Sequence, residues 1–226
     1  MTTDSAADPK NTQESAPPLR WGQLTFRTSA ARLGQLPPDD GVEVALAGRS
    51  NAGKSSVLNR LAGQRSLART SKTPGRTQLL NVFEMPTGQR VVDLPGYGFA
   101  RVPDTVKNAW KRLIGSYLER RASLAGLVII MDVRHPLKDG DLELIGWCNS
   151  ADLPVHILLN KADKLKRGPA RSQLLGVARE LEQGGATASL QLFSALNGDG
   201  LADARGRIAE LYSEWSGRAS SPAGPG

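Results

Sequence analysis

Apolar residues fall in short bursts, separated by longer stretches in which they recur every three or four positions. The bursts at residues 42–47, 78–85, 90–93, 124–133, 154–160 and 190–194 predict six strands. Two of them, LAGLVIIMDV and PVHILLN, are nearly unbroken, as in strands covered on both faces. Between the bursts, the spacing predicts helices starting near Ser55 and over 105–121, 141–150, 168–183 and 201–215. In the 105–121 stretch, Trp110, Leu113, Ile114 and Tyr117 share one stripe, and Arg112, Ser116 and Glu119 lie opposite. Strands alternating with helices predict a mostly parallel, doubly wound sheet. In such a sheet ligands bind beyond the carboxyl ends of the strands.

The two ends of the chain lack this pattern. Residues 1–19 are polar and rich in Ser, Ala and Pro, and 216–226 are rich in Gly, Ser and Pro, so both are expected to be disordered tails around one domain at 20–215. A chain of 226 residues suits one such domain. No apolar run reaches the roughly 18 residues of a membrane span, and the N-terminus lacks the apolar core of a secretory signal. The single cysteine, Cys148, excludes an internal disulfide and reads as a small buried hydrophobe, which fits a reducing cytoplasm. The net charge of +7 suits either a polyanionic partner such as RNA or plain solubility.

The candidate chemistry sits at the strand ends. Gly48-Arg49-Ser50-Asn51-Ala52-Gly53-Lys54-Ser55 fits G-x-x-x-x-G-K-[ST] between a strand and a helix. Its glycines let backbone N–H groups turn inward onto phosphate oxygens, Lys54 adds a charge at the β- and γ-phosphates, and the Ser55 hydroxyl can ligate Mg²⁺. Asp93-Leu94-Pro95-Gly96 fits D-x-x-G after another strand. Its carboxylate can hold Mg²⁺ through water, and the Gly96 amide can sense a γ-phosphate.

Between these motifs, the polar segment 70–78 must supply a threonine to complete the Mg²⁺ shell. Thr77, next to the strand, is the choice, and Thr73 the alternative. Tyr97 stands where Ras-like proteins place the glutamine that orients the attacking water, so hydrolysis is expected to be slow unless a partner or a cation accelerates it. Asn51 has two readings: a ligand of a stimulating K⁺, or a turn residue tolerant of left-handed geometry.

Asn160-Lys161-Ala162-Asp163 fits N-K-x-D. One carboxylate accepts both guanine donors, N1–H and the exocyclic amine, whereas adenine would leave it unpaired. Lys161 can cover the base and Asn160 can brace the loops. Ser194-Ala195 matches the S-A pair whose backbone reaches guanine O6. The expected fold is therefore a three-layer α/β/α P-loop NTPase of Ras-like type with a six-stranded sheet.

With these residues in view, the chain resembles the EngB (YihA/YsxC) family of ribosome-biogenesis GTPases over roughly residues 25–215. The most specific segments are ALAGRSNAGKSSVLNRL, TSKTPGRTQLLNVF, DLPGYGFARVP, MDVRHPLKDGDLE and LLNKADKL. The resemblance implies Ser55 and Thr77 as Mg²⁺ ligands. It implies GTP contacts from Gly48–Ser55, from Gly75, Arg76, Thr77, Gln78 and Leu79, from Asp93–Gly96, from Asn160–Asp163, and from Phe193, Ser194 and Ala195. Lys54, Thr77 and Gly96 would carry the transfer of the phosphoryl group.

It further implies a switch in assembly of the large ribosomal subunit, docking on ribosomal RNA; the protein is expected to be a monomer. Arg101, Lys107, Lys111 and Arg112 follow the second switch and are candidates for RNA contact, with a solvated helix face as the other reading. One rival function is a nucleotide-gated ribosome-binding module with negligible hydrolysis. Another is the GTPase domain of a tRNA-modifying or iron-transporting system, disfavoured by the lack of a second domain or a span in this sequence.

Overall fold

The computed structural model describes residues 19–68, 79–98 and 103–219, with side chains to residue 216. Seven strands and five helices follow one another: β1 (Thr25–Ala30), β2 (Glu43–Gly48), α1 (Lys54–Ala62), β3 (Leu80–Glu84), β4 (Arg90–Asp93), α2 (Asp104–Arg120), β5 (Leu124–Asp132), α3 (Asp139–Ser150), β6 (Val155–Asn160), α4 (Arg167–Gln183), β7 (Ser189–Leu192) and α5 (Leu201–Ala219). They form one sheet in the order β1-β3-β4-β2-β5-β6-β7. Strands β4, β2, β5, β6 and β7 run parallel, and β3 pairs antiparallel with both β4 and the edge strand β1.

The pleat sends alternate residues to opposite faces. Val44 and Leu46 of β2 and Val128 and Ile130 of β5 pack with Val57, Leu58 and Leu61 of α1 and with Ile208 and Leu211 of α5. Ala45, Ala47, Leu127, Ile129 and Met131 face the other way, onto Trp110 and Ile114 of α2, Leu144 and Cys148 of α3, and Val177 of α4. Both faces of the central strands are thus covered, which explains their unbroken apolar runs and gives the three layers expected. Trp110, Ile114 and Tyr117 are buried as their stripe predicts.

Among the described residues the sheet has seven strands, not the six expected. The extra strand, β1, is an edge strand of sequence TFRTSA in which Ala30 alone is buried. Its register on β3, Thr25 opposite Glu84 and Ala30 opposite Leu80, is set by backbone pairing. The edge-on contact of Phe26 with Phe83, 5.8 Å between ring centres, adds to it. A strand that buries neither face leaves no apolar signature to read. At the other end, α5 runs to Ala219, past the helix end at 215 read from the sequence.

The amino end of the parallel strands is closed by charge. Glu43, with no exposed surface, accepts the Tyr117 hydroxyl at 2.8 Å and both arms of Arg121 at 2.8 and 3.1 Å. Arg121 also lies 3.4 Å from Asp39, whose carboxylate caps the N–H groups of Ala122 and Ser123. Burial, and then the Glu43 carboxylate, push the Tyr117 phenol well above its ordinary pKa, so it stays a donor. Arg90, at the start of β4, donates to Asp40, Glu84 and the Pro38 carbonyl. Among the described residues, the phosphate loop and the D-x-x-G, N-K-x-D and S-A motifs lie at the opposite end.

Candidate functional site

Strand β2 delivers the chain into the phosphate loop, which turns through two left-handed residues, Asn51 at φ 67° and Gly53 at φ 96°. A Cβ at Gly53 would collide with the side-chain amide of Asn160, so the turn needs glycine for both its backbone and its space. Helix α1 begins at Lys54 with its first N–H groups lacking intrahelical partners, a ready anion cradle. The left-handed geometry at Asn51 is the one its turn reading requires.

Lys54 reaches across the cradle to form an ion pair with the carboxylate of Asp93 at the end of β4, each side chain about a tenth exposed. The charge that the sequence motif assigns to phosphate is here paired with the carboxylate of the second motif. Ser55 follows on the first turn of α1 and is half-buried. Among the described residues, no three His, Cys, Asp or Glu gather into a metal cage. The hydroxyl of Ser55 and the carboxylate of Asp93 form a sparse set of hard oxygen donors. That set fits Mg²⁺, which keeps several waters and takes its remaining ligands from substrate phosphates. Bound there, Mg²⁺ would neutralise charge on the phosphate oxygens.

The loops after β6 and β7 are built onto the phosphate loop. Asn160 donates its amide to the Ala52 carbonyl at 2.8 Å and accepts the Ala195 N–H at 3.1 Å, so one buried side chain joins three loops. Lys161, left-handed at φ 65°, donates to the Asn51 carbonyl at 2.6 Å and pairs with Asp132 at 3.0 Å. The Ala162 N–H binds the carbonyl of Phe193, which is fully buried. Asp163 accepts the Ser194 hydroxyl at 2.6 Å, and this bond holds its carboxyl below the usual range, ionised as recognition of two donors demands.

Two participants escaped the sequence reading. Asp132, at the carboxyl end of β5, is clamped by Arg134 at 2.6 and 2.9 Å and by Lys161, and the Arg134 bonds above all hold it well below its ordinary pKa. Arg60 of α1 donates to the Ala195 carbonyl at 2.8 Å, tying the last loop to the first helix. The position of Asp132 at a strand's carboxyl end, within the MDVRHPL segment, was the available signal.

The second motif is equally anchored. The Ser50 N–H donates to the Tyr97 carbonyl at 2.8 Å, and Trp110 of α2 donates its ring N–H to the Pro95 carbonyl at 2.9 Å. Tyr97 is buried, its ring 5.4 Å from that of Trp110, and its hydroxyl donates to Asp141 of α3 at 2.6 Å. Burial raises the pKa of both groups, so the phenol remains the donor. The residue standing in the glutamine position is therefore turned into the protein.

Leu94 is buried beneath this loop, and Leu79 is half-buried at the edge of β3. Gly75, Arg76, Thr77 and Gln78, the alternative Thr73, and Arg101 lie outside the described residues. Of the other cations proposed for RNA, Lys107 pairs with Asp104 at 3.0 Å and Lys111 with Glu143 at 2.6 Å, while Arg112 is exposed.

Comparison with known proteins adds a lineage to this geometry. Residues 43–161 match a family described as 50S ribosome-binding GTPase. The chain is 52% identical over 190 residues to a probable GTP-binding protein EngB of Vibrio parahaemolyticus, covering 84% of this chain and 87% of that one. It is 57% identical over 182 residues to the EngB of Pseudoalteromonas atlantica, covering 80% and 88%. A crystal structure of a probable GTP-binding protein EngB superposes with a TM-score of 0.63 at 26% identity, over 76% of this chain and all of that one.

Proposed function

The chain belongs to the EngB family of GTP-binding proteins, and we propose that it is a nucleotide-dependent switch that binds Mg²⁺-GTP, hydrolyses it slowly and acts in assembly of the large ribosomal subunit. One observation carries the nucleotide part. The guanine-type loop is hydrogen-bonded to the phosphate loop through Asn160 and Lys161, so base and phosphate recognition share one rigid frame. In this reading Gly48–Ser55 hold the phosphates, Lys54 and the Gly96 amide stabilise charge on the γ-phosphate, and Ser55 and Thr77 hold the metal. Asp163 reads the base, supported by Ser194 and Ala195, and Gly75–Leu79 complete the nucleotide contacts.

Binding would exchange the Lys54–Asp93 pair for Lys54–phosphate and Asp93–metal water. The catalysis available is positioning and electrostatic, because Tyr97 is committed to Asp141 and offers no group to orient water. That observation favours slow intrinsic turnover, raised by a ribosomal partner or by K⁺ at Asn51. It equally supports a second reading, a gated binding module in which hydrolysis is incidental.

The family description of 50S ribosome binding, together with the charge of +7, supports large-subunit RNA as the partner. No helix among the described residues is long and apolar enough to cross a membrane. We place the protein in the cytoplasm as a monomer. The test is co-sedimentation with ribosomal subunits in a non-hydrolysable GTP analogue or GDP. Selective pelleting with the large subunit in the analogue is expected; equal or absent binding in both sinks the assembly reading. Single-turnover hydrolysis that no ribosomal particle or K⁺ stimulates would favour the gated module.

A further inference from the structure

Tyr97 is held from three directions. Its carbonyl accepts the Ser50 N–H of the phosphate loop at 2.8 Å, and its residue bridges Arg49 in parallel register. Its hydroxyl donates to one carboxylate oxygen of Asp141 at 2.6 Å, while the other oxygen accepts the Lys138 N–H at 2.9 Å. The acceptor is thereby fixed in the first turn of α3. Its ring lies 5.4 Å from Trp110, and the ring N–H of Trp110 holds the Pro95 carbonyl. Gly96, whose amide is assigned to the γ-phosphate, therefore sits between two neighbours, each tied to a different helix.

Gly140 completes the seat. It occupies the first turn of α3, where alanine is the better helix former. A Cβ at this position would stand 2.9 Å from Cδ2 and 3.2 Å from Cε2 of the Tyr97 ring, closer than packing allows. The glycine makes sense as room for that ring.

From these contacts we infer that Tyr97 is a positioning residue: its bond to Asp141, seated by Gly140, sets where Gly96 stands against the phosphate loop and so how far a triphosphate is preferred over a diphosphate. The inference rests on the GTP-switch reading above. It gives the tyrosine a task other than water orientation, and it extends the phosphate sensor into α2 and α3, which are themselves joined by the Trp110–Trp147 stack and the Lys111–Glu143 pair.

The test is the ratio of affinities for a non-hydrolysable GTP analogue and GDP, by calorimetric titration of the full chain. Tyr97→Phe keeps the ring and removes the hydroxyl; the ratio should fall about tenfold, the scale of a hydrogen bond to a charged group, with GDP affinity within about threefold of wild type. Gly140→Ala removes neither the hydroxyl nor the carboxylate but displaces the ring that carries the hydroxyl, and should lower the ratio in the same direction. It decides the matter if the phenylalanine variant does not fold. An unchanged ratio in both, or equal loss for both nucleotides, overturns the inference and leaves Tyr97 as packing. Wild-type protein that binds neither nucleotide overturns the GTP reading itself.

Discussion

The two ends of the same sheet use charge in opposite ways. At the amino end, Glu43 is fully buried and every strong partner it has is protein: Tyr117, and Arg121 twice over. At the carboxyl end, Lys54 and Asp93 are also mostly buried, yet they stand on separate elements, the first residue of α1 and the last of β4, beside the unpartnered N–H groups of the helix start. The first arrangement is complete without a ligand. In the proposed reading, the second pairs two groups that would each take another partner when nucleotide arrives. Burial of a charged pair thus says little about its role until one asks what could replace each partner.

The largest effect that would sharpen this contrast is expected from Glu43→Ala. Removing the buried Glu43 carboxylate leaves Arg121 with Asp39 alone as a charged partner, at 3.4 Å, and should cost about 3 kcal/mol in urea unfolding, while the folded fraction binds nucleotide as wild type. Lys54→Ala should do the reverse. Affinity for the GTP analogue should fall at least about 100-fold, roughly 2.7 kcal/mol, with a smaller loss of apo stability than the Glu43 variant shows. If Lys54→Ala proved the more destabilising of the two, the pair would be a structural clamp and the contrast would collapse.

The smallest effect concerns the base. Ser194→Ala removes the hydroxyl that lowers the Asp163 pKa, and should weaken guanine-nucleotide binding a few-fold at neutral pH, about 1 kcal/mol. The sign is fixed by the direction of the shift. A depressed carboxyl contributes stability that is fully present above its ordinary value of 3.8 and is lost as pH falls through its lower folded value. Binding by wild type should therefore be flat between pH 5 and 8, and its acid limb should move upward in the variant. A limb that does not move would remove Ser194 from base recognition.

Much of the carboxyl end was legible because the chain writes it in contiguous words. A phosphate loop, D-x-x-G and N-K-x-D are each a few adjacent residues at the end of a strand buried on both faces, so motif and periodicity point to the same place. What escaped lies between segments. Asn160 meets Ala52 across 108 positions and Tyr97 meets Asp141 across 44, and no local pattern encodes either meeting. Strand β1 escaped for a different reason: hydrophobic alternation reports burial, and its side chains mostly face solvent. Tyr97 itself was visible, but as a missing glutamine. Its hydroxyl instead holds Asp141 on α3.

The amide of Asn160 has one further consequence, for how such a site can diversify. Because its two ends are spent on the Ala52 carbonyl and the Ala195 amide, this residue is shared by the parts proposed to hold base and phosphates. In that reading a change there would alter both sets of contacts at once. Asp163 contacts Ser194 and its neighbour Lys164 and leaves the phosphate loop untouched. A lineage drifting toward another purine has an open path through position 163 and a closed one through position 160, three residues away.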